Sequence, residues 1–286
     1  MGKDGLIQPW RDLMRGVPAL LVVLLVGAAG AVQDPDPRSP RPIAVHPTLF
    51  IEEMTWMEVR DALGAGTDTV LIAAGGVEQN GPYVVTGKHD LIVRANAQAI
   101  AERLGHALVA PILPFVPEGD FDPPTEHMKY PGTIGLSEDT YRRVLTDLCR
   151  SFRAHGFRHI VLIGDHGGDQ EGMEKAAEDL NALWKGEKTR VHYIPEYGDF
   201  EALGEWVEAQ GIKQLPEGLH DDFIMEAQLM AVDPTTVRMK ERLAAGKFRI
   251  NGIDLSPAEK TIDWGRKIIA HRTEVTVAAI RKSMER

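Results

Sequence analysis

The stretch His159–Gln170, HIVLIGDHGGDQ, limits the possible folds of this chain more than any other. Ile160–Ile163 is a run of bulky apolar residues, most of them β-branched, which suits a strand buried on both faces in a parallel sheet. The run stops at Gly164, where Asp165, His166 and Asp169 are set among glycines. Beyond the turn, Met173, Ala176, Ala177, Leu180, Leu183 and Trp184 recur at helical spacing. Strand, glycine turn and helix together put Asp165 and His166 at the carboxyl end of a strand. Open α/β sheets bind their ligands there. Glycine and aspartate also serve a tight turn for backbone reasons alone, so the rest of the chain has to decide.

Other segments alternate in the same way. Thr55 and Glu58 form a capping-box pattern ahead of a helix that Gly64 can end. Thr69–Ala74 reads as the first strand and runs into GGVEQNGPYVVTGKHD, with a helix expected from Leu91 to Leu104. A second strand is expected at Ala107–Leu113, interrupted by Pro111. Pro114–Thr133 has no periodicity, holds five prolines, and carries Glu118, Asp120, Asp122, Glu126 and His127. A loop of that length within a compact domain is usually functional or mobile. Ser137 can cap a helix with the stripe Tyr141, Val144, Leu145, Leu148 and Phe152. A further strand at Val191–Ile194 and helices near Glu201–Gln210, after Leu219, and from Ile262 or Trp264 to Met284 complete the reading. Strands alternating with helices imply an α/β fold, with a mostly parallel central sheet and helices on both faces.

The formal net charge is −10 with no basic run, which argues against nucleic acid as a partner. The lone cysteine, Cys149, falls on an apolar helical stripe and reads as a buried structural thiol rather than a nucleophile. Residues 1–31 have the form of a secretory signal peptide. Arg11 and Arg15 flank the apolar core Val17–Val26, and Ala29-Gly30-Ala31 offers a cleavage site. That core is half the roughly 20 residues a membrane span needs, so the expected product is exported, periplasmic or secreted, with no stable span. Residues 32–48 read as a Pro-rich linker or arm, and 49–286 as one α/β domain.

Three segments bring titratable residues into loops or helix starts: Glu78 with His89 and Asp90, then Asp165 with His166, then His220 with Asp221, Asp222 and Glu226. Carboxylates and imidazoles gathered in this way suit a borderline divalent ion such as zinc, manganese or iron. Such an ion polarises carbonyls and lowers the pKa of water. Taken singly, Glu78 could pair locally, His89-Asp90 could cap the next helix, and His220 could be a surface histidine.

MTWMEV at 54–59, GGVEQNGP at 75–82, EHMKYPGTIGL at 126–136, GFRHIVLIGDHGGDQ at 156–170 and the His220–Met230 segment together resemble the creatininase (creatinine amidohydrolase) family in order and spacing. The resemblance implies a three-layer α/β sandwich, often a hexamer, with a site for one or two ions, zinc first and manganese or iron next. It implies hydrolysis of C–N bonds in small cyclic or linear amides, a metal-bound hydroxide attacking the carbonyl. Glu78 looks like a ligand of the first metal, Asp90 or else His89 like the bridging position, His166 like the glycine-turn ligand and Glu226 like the late glutamate. His220 resembles the histidine that passes a proton to the leaving nitrogen. Asn80, Glu126, His127, Asp165 and Asp169 are expected to line the substrate pocket, with Glu118 as another candidate there.

The chain also departs from the family. Asn80 stands where a metal-binding histidine is usual, Tyr83 replaces another, and GKHD at 87–90 is one residue longer than the family's Gly-Thr-Asp. His89 could then supply the imidazole that Asn80 lacks. Asp221 and Asp222 replace small residues and are read as solvated. A poor ligand at Asn80 keeps a second reading open, a binding or scaffold protein on the same fold.

Overall fold

Four strands, β1 (Thr69–Ala74), β2 (Ala107–Val109), β3 (His159–Gly164) and β4 (Arg190–Tyr193), form one parallel sheet in the order β2-β1-β3-β4. All of β1 and all of β3 after His159 are buried, as strands covered on both faces must be. Register pairs Thr69 with His159 and Ala74 with Gly164, so both central strands end at the same edge. The loops that follow them therefore open side by side. The computed structural model describes residues 36–285, so the expected signal peptide and the first residues of the Pro-rich arm lie outside the described residues. Residues 36–40 stand as a separate unit, where Arg38 pairs with Asp36; the main unit begins at Arg41.

Eight helices complete the described part: α1 (Trp56–Gly64), α2 (Lys88–Leu104), α3 (Glu138–Ala154), α4 (Gln170–Leu183), α5 (Phe200–Ala209), α6 (Phe223–Val232), α7 (Met239–Ala245) and α8 (Ala258–Met284). Val70, Ile72 and Ile160 on one face of the sheet meet Tyr141, Leu145 and Cys149 of α3 and Met173 and Leu180 of α4. On the other face, Leu71, Ala73 and Val161 meet Val93 and Ile100 of α2 and Val277 and Ile280 of α8. These are the three layers. A third apolar cluster joins α5 and α6 to Ile92 and Ile268. Gly265 lets α8 run against α6: a Cβ there would lie 1.9 Å from the Ala227 carbonyl oxygen. Among the described residues no helix is long and apolar enough to cross a membrane.

Local chemistry accounts for the boundaries. Thr55 and Glu58 make the reciprocal capping box, and Ser137 Oγ accepts from the Thr140 N–H. Regular β2 ends at Val109, four residues before the expected end. Pro111 lacks an N–H, although Leu113 still donates to Ala73. α2 begins three residues earlier than the apolar spacing suggests, with Lys88 and His89 buried in its first turn. α8 begins at Ala258, directly after Ser256-Pro257, whose proline reads in the sequence as a helix start, and runs without a break through Ile262. α7 and the short hairpin of β5 (Arg249–Ile250) and β6 (Ile253–Asp254) have no counterpart in the sequence reading. Cys149 is buried, and its burial pushes the thiol pKa up to about 12, as suits a structural thiol.

Candidate metal centre

The loop after β1 is closed by its own side chains. Asn80 donates from Nδ2 to the Val85 carbonyl at 2.9 Å and the Glu78 carbonyl at 3.2 Å, so its NH2 is committed to backbone, while Oδ1 is buried without a hydrogen-bond partner. The loop carries Glu78, fully buried, into the centre of the cleft. Glu78 Oε1 meets His89 Nε2 at 2.8 Å and Lys88 Nζ at 3.3 Å. Glu78 Oε2 meets His166 Nε2 at 3.1 Å and His127 Nε2 at 3.2 Å. Burial alone would raise the Glu78 pKa. Hydrogen bonds from His166 and His89, with the charges of His89 and Lys88, outweigh it and hold the carboxyl far below the usual range.

The glycine turn after β3 supplies the opposite wall. The Gly168 N–H donates to His166 Nδ1 at 3.0 Å, which leaves Nε2 aimed at Glu78. Asp169, fully buried, accepts from the His166 N–H at 3.1 Å and fixes the turn; burial drives its carboxyl pKa well up. Asp165 sits beneath. Its Oδ2 meets His89 Nδ1 at 2.8 Å, and its Oδ1 takes the Arg272 guanidinium at 2.8 Å and the Tyr197 hydroxyl at 2.9 Å. Burial would lower the His89 pKa, but bonds to Asp165 and Glu78 raise it.

The long loop brings two more donors. A Cβ at Gly168 would lie 2.2 Å from the Pro117 carbonyl oxygen, so glycine there allows the loop to pass close over the turn. The loop places Glu118 Oε2 3.4 Å from His166 Nε2 and sets the His127 ring 4.5 Å from that of His220, tilted by 38°. Both carboxyl oxygens of Glu118 and Nδ1 of His127 are buried without a hydrogen-bond partner. Burial, with the charge of Glu78, pushes the Glu118 pKa up to about 8, and burial lowers that of His127.

Glu78, Glu118, His127 and His166 each offer a ligand atom, all within 4.8 Å of one another. Two carboxylates and two imidazoles suit a borderline divalent ion. Partnerless oxygens on a buried carboxyl are what a missing cation leaves behind, so the residues fit the ion. A carboxyl with a pKa near 8 is protonated at neutral pH and must lose that proton to become a ligand. Zinc binding at pH 7 is therefore expected to release a proton. The affinity should tighten by about tenfold per pH unit well below pH 8 and level off as the pH passes it. Calorimetry in buffers of different ionisation enthalpy checks this, and binding without proton release would remove Glu118 from the ligand set.

Other residues singled out in the sequence lie elsewhere. Asp90 is packed into the turn after β1, accepting from the Gly76 N–H at 3.0 Å; a Cβ at Gly75 would lie 2.1 Å from its Oδ1. Its neighbour His89 is the residue that reaches Glu78. Glu226 is buried against Arg242 at 2.6 Å and stands outside the four-residue group. Asp221 and Asp222 are half-buried rather than solvated. Burial and the charge of Glu226 push Asp221 up to about 9, and Asp222 caps α6 by accepting from the Met225 N–H. His220 sits at the rim, its Nδ1 donating to the Gln79 carbonyl at 3.0 Å and lying 3.6 Å from Glu78 Oε1.

A cavity of about 450 Å³ opens over the group, with Lys88, His127, His166, His220, Phe200 and Met225 on its walls. Of the residues expected to line a pocket, His127 does so here. Glu126 borders a separate cavity, Asn80 is turned onto the backbone, and Asp165 and Asp169 lie below. Sequence reasoning gave no role to Lys88, Arg242, Arg272 or Tyr197. It treated Glu118 and His127 as pocket residues rather than as ligands.

The model of the creatininase family, creatinine amidohydrolase, matches residues 52–280. The creatinine amidohydrolase of Pseudomonas putida is 28% identical over 137 residues, 46% of this chain and 52% of that protein. A mycofactocin precursor peptide peptidase of Mycolicibacterium smegmatis is 30% identical over 131 residues, 44% of this chain and 49% of that protein. The chain thus spans about half the length of these curated relatives. A solved point mutant of creatininase superposes with a TM-score of 0.60 at 22% identity, over 82% of this chain and 98% of that one, a likeness of fold. Solved creatininases include a manganese form and a point mutant of Zn-Zn type. Because the matched region takes in both central strands, the glycine turn and the long loop, this chain belongs to the creatininase family.

Proposed function

We propose that this protein hydrolyses a C–N bond in a small cyclic or linear amide, with a divalent ion held by Glu78, Glu118, His127 and His166. The observation that carries the reading is the convergence of those four donors, with the Glu118 oxygens partnerless, beneath a cavity of about 450 Å³. The family match and the amidohydrolase relative support the same class of reaction. A divalent ion there would polarise the substrate carbonyl and lower the pKa of water.

The chain's own residues supply the rest. His89, held between Asp165 and Glu78, keeps the Glu78 carboxylate oriented. His220 donates from Nδ1 to Gln79, which leaves Nε2 to take a proton and deliver it to the departing nitrogen. Phe200, Leu219 and Met225 give the cavity an apolar side that limits water around the substrate. Residues 1–31 support placing the enzyme outside the cytoplasm.

Elemental analysis of the purified chain tests the reading. Zinc, manganese or iron should be present at one or two per chain and lost in the Glu78→Ala, His166→Ala double variant. Turnover should then be found in a screen of lactams, formamides and short peptides, the last because of the peptidase relatives. A chain that stays metal-free after incubation with all three ions would overturn the hydrolase. It would favour a binding protein, the reading to which Asn80, a poor zinc ligand, already points.

A further inference from the structure

The two oxygens of Glu78 face different company. On the Oε2 side lie His166 and His127, with Glu118 beside His166. On the Oε1 side lie His89, whose other nitrogen is taken by Asp165, the ammonium of Lys88 at 3.3 Å, and His220, whose Nδ1 at 3.6 Å is taken by the Gln79 carbonyl. Lys88 is 3% exposed, although it lines the cavity. An ammonium is expensive to bury unless carboxylates compensate it. Here Glu78, Glu118, Asp221 and Asp222 all lie within reach of its charge. A protonated amine has three donors and no lone pair, so it compensates carboxylates without being able to ligate an ion. Among the described residues, a single group of donors converges as a metal site would, and it lies on the Oε2 side.

We propose that Lys88 is the second cation of this site: its ammonium fills the Oε1 side of Glu78 and restricts the chain to one divalent ion, where a solved relative has a Zn-Zn form. The inference rests on the metal-dependent reading above. Asn80 agrees with it. Its Nδ2 closes the loop on the backbone, and its remaining donor to an ion is an amide oxygen, which suits zinc less well than imidazole. A fixed ammonium in a partly desolvated cleft also repels a dication held nearby, and so lowers the affinity for the ion that does bind.

Zinc stoichiometry and affinity of the full chain test this without an activity assay. The parent should saturate at one zinc per chain, and two would overturn the proposal while leaving the hydrolase reading intact. No zinc at all would overturn both. Lys88→Glu replaces the donor-only cation by a carboxylate and should raise the count to two; a folded variant that still takes one overturns the proposal. Lys88→Gln removes the charge and leaves a polar side chain one atom shorter. It should bind the first zinc tighter by about tenfold or more, and unchanged or weaker affinity counts against Lys88 as a competing cation.

Discussion

Asp165→Ala is expected to destabilise the protein by about 3–5 kcal/mol, the range found when one member of a buried ion pair is removed. Asp165 is fully buried at the end of β3 and joins three parts of the fold. One oxygen takes the Arg272 guanidinium of α8 and the Tyr197 hydroxyl; the other takes His89 of α2. Without the carboxylate, Arg272 keeps its bonds to the Tyr197 carbonyl and Gln228 and its place over the Tyr197 ring, but no carboxylate compensates its buried charge. Urea denaturation measures the loss. The double variant Asp165→Leu, Arg272→Met should be markedly more stable than Asp165→Ala, because it removes both charges and fills the space. A single-variant loss below about 1 kcal/mol would show that water reaches Arg272. Because His89 hangs from Asp165, the same substitution should also loosen the Glu78 carboxylate.

How much of this was legible in the sequence varies with the range of the interaction. The strand and turn at 159–170 were, because an apolar run, glycines and a following helical stripe are local signals. The capping residues Thr55 and Ser137 were legible for the same reason. The choice between His89 and Asp90 was not. Successive helical residues point about 100° apart, so a helix start at Lys88 turns His89 to Glu78 and Asp90 to the Gly75-Gly76 backbone. The pairing of Glu226 with Arg242 was not legible either, because Arg242 lies 16 residues further on and chain spacing carries no mark of it. Glu118 and His127 were marked by the long Pro-rich loop. Their role as possible ligands depends on the close passage over Gly168, which is a tertiary fact. Asn251-Gly252, both at positive φ, is a strong hairpin signal, yet strands of two residues leave no alternation to read.

His220→Ala should lower kcat by about 10²–10⁴-fold on whichever amide the screen identifies, the usual worth of a positioned acid or base. The metal content should stay that of the parent. His220 stands outside the four donors, half-exposed at the rim, and its ring is held by the bond from Nδ1 to the Gln79 carbonyl and by the neighbouring His127 ring. Losing it removes a proton carrier and leaves Glu78, Glu118, His127 and His166 in place. His166→Ala gives the contrast, because it removes a ligand atom and should take the ion and the activity together. A substrate whose leaving nitrogen needs no proton should be spared in His220→Ala, so amides with poorer leaving groups should suffer more. Loss of metal in His220→Ala would make it a ligand instead, and a fall in kcat of less than tenfold would leave the proton transfer to another group at the rim.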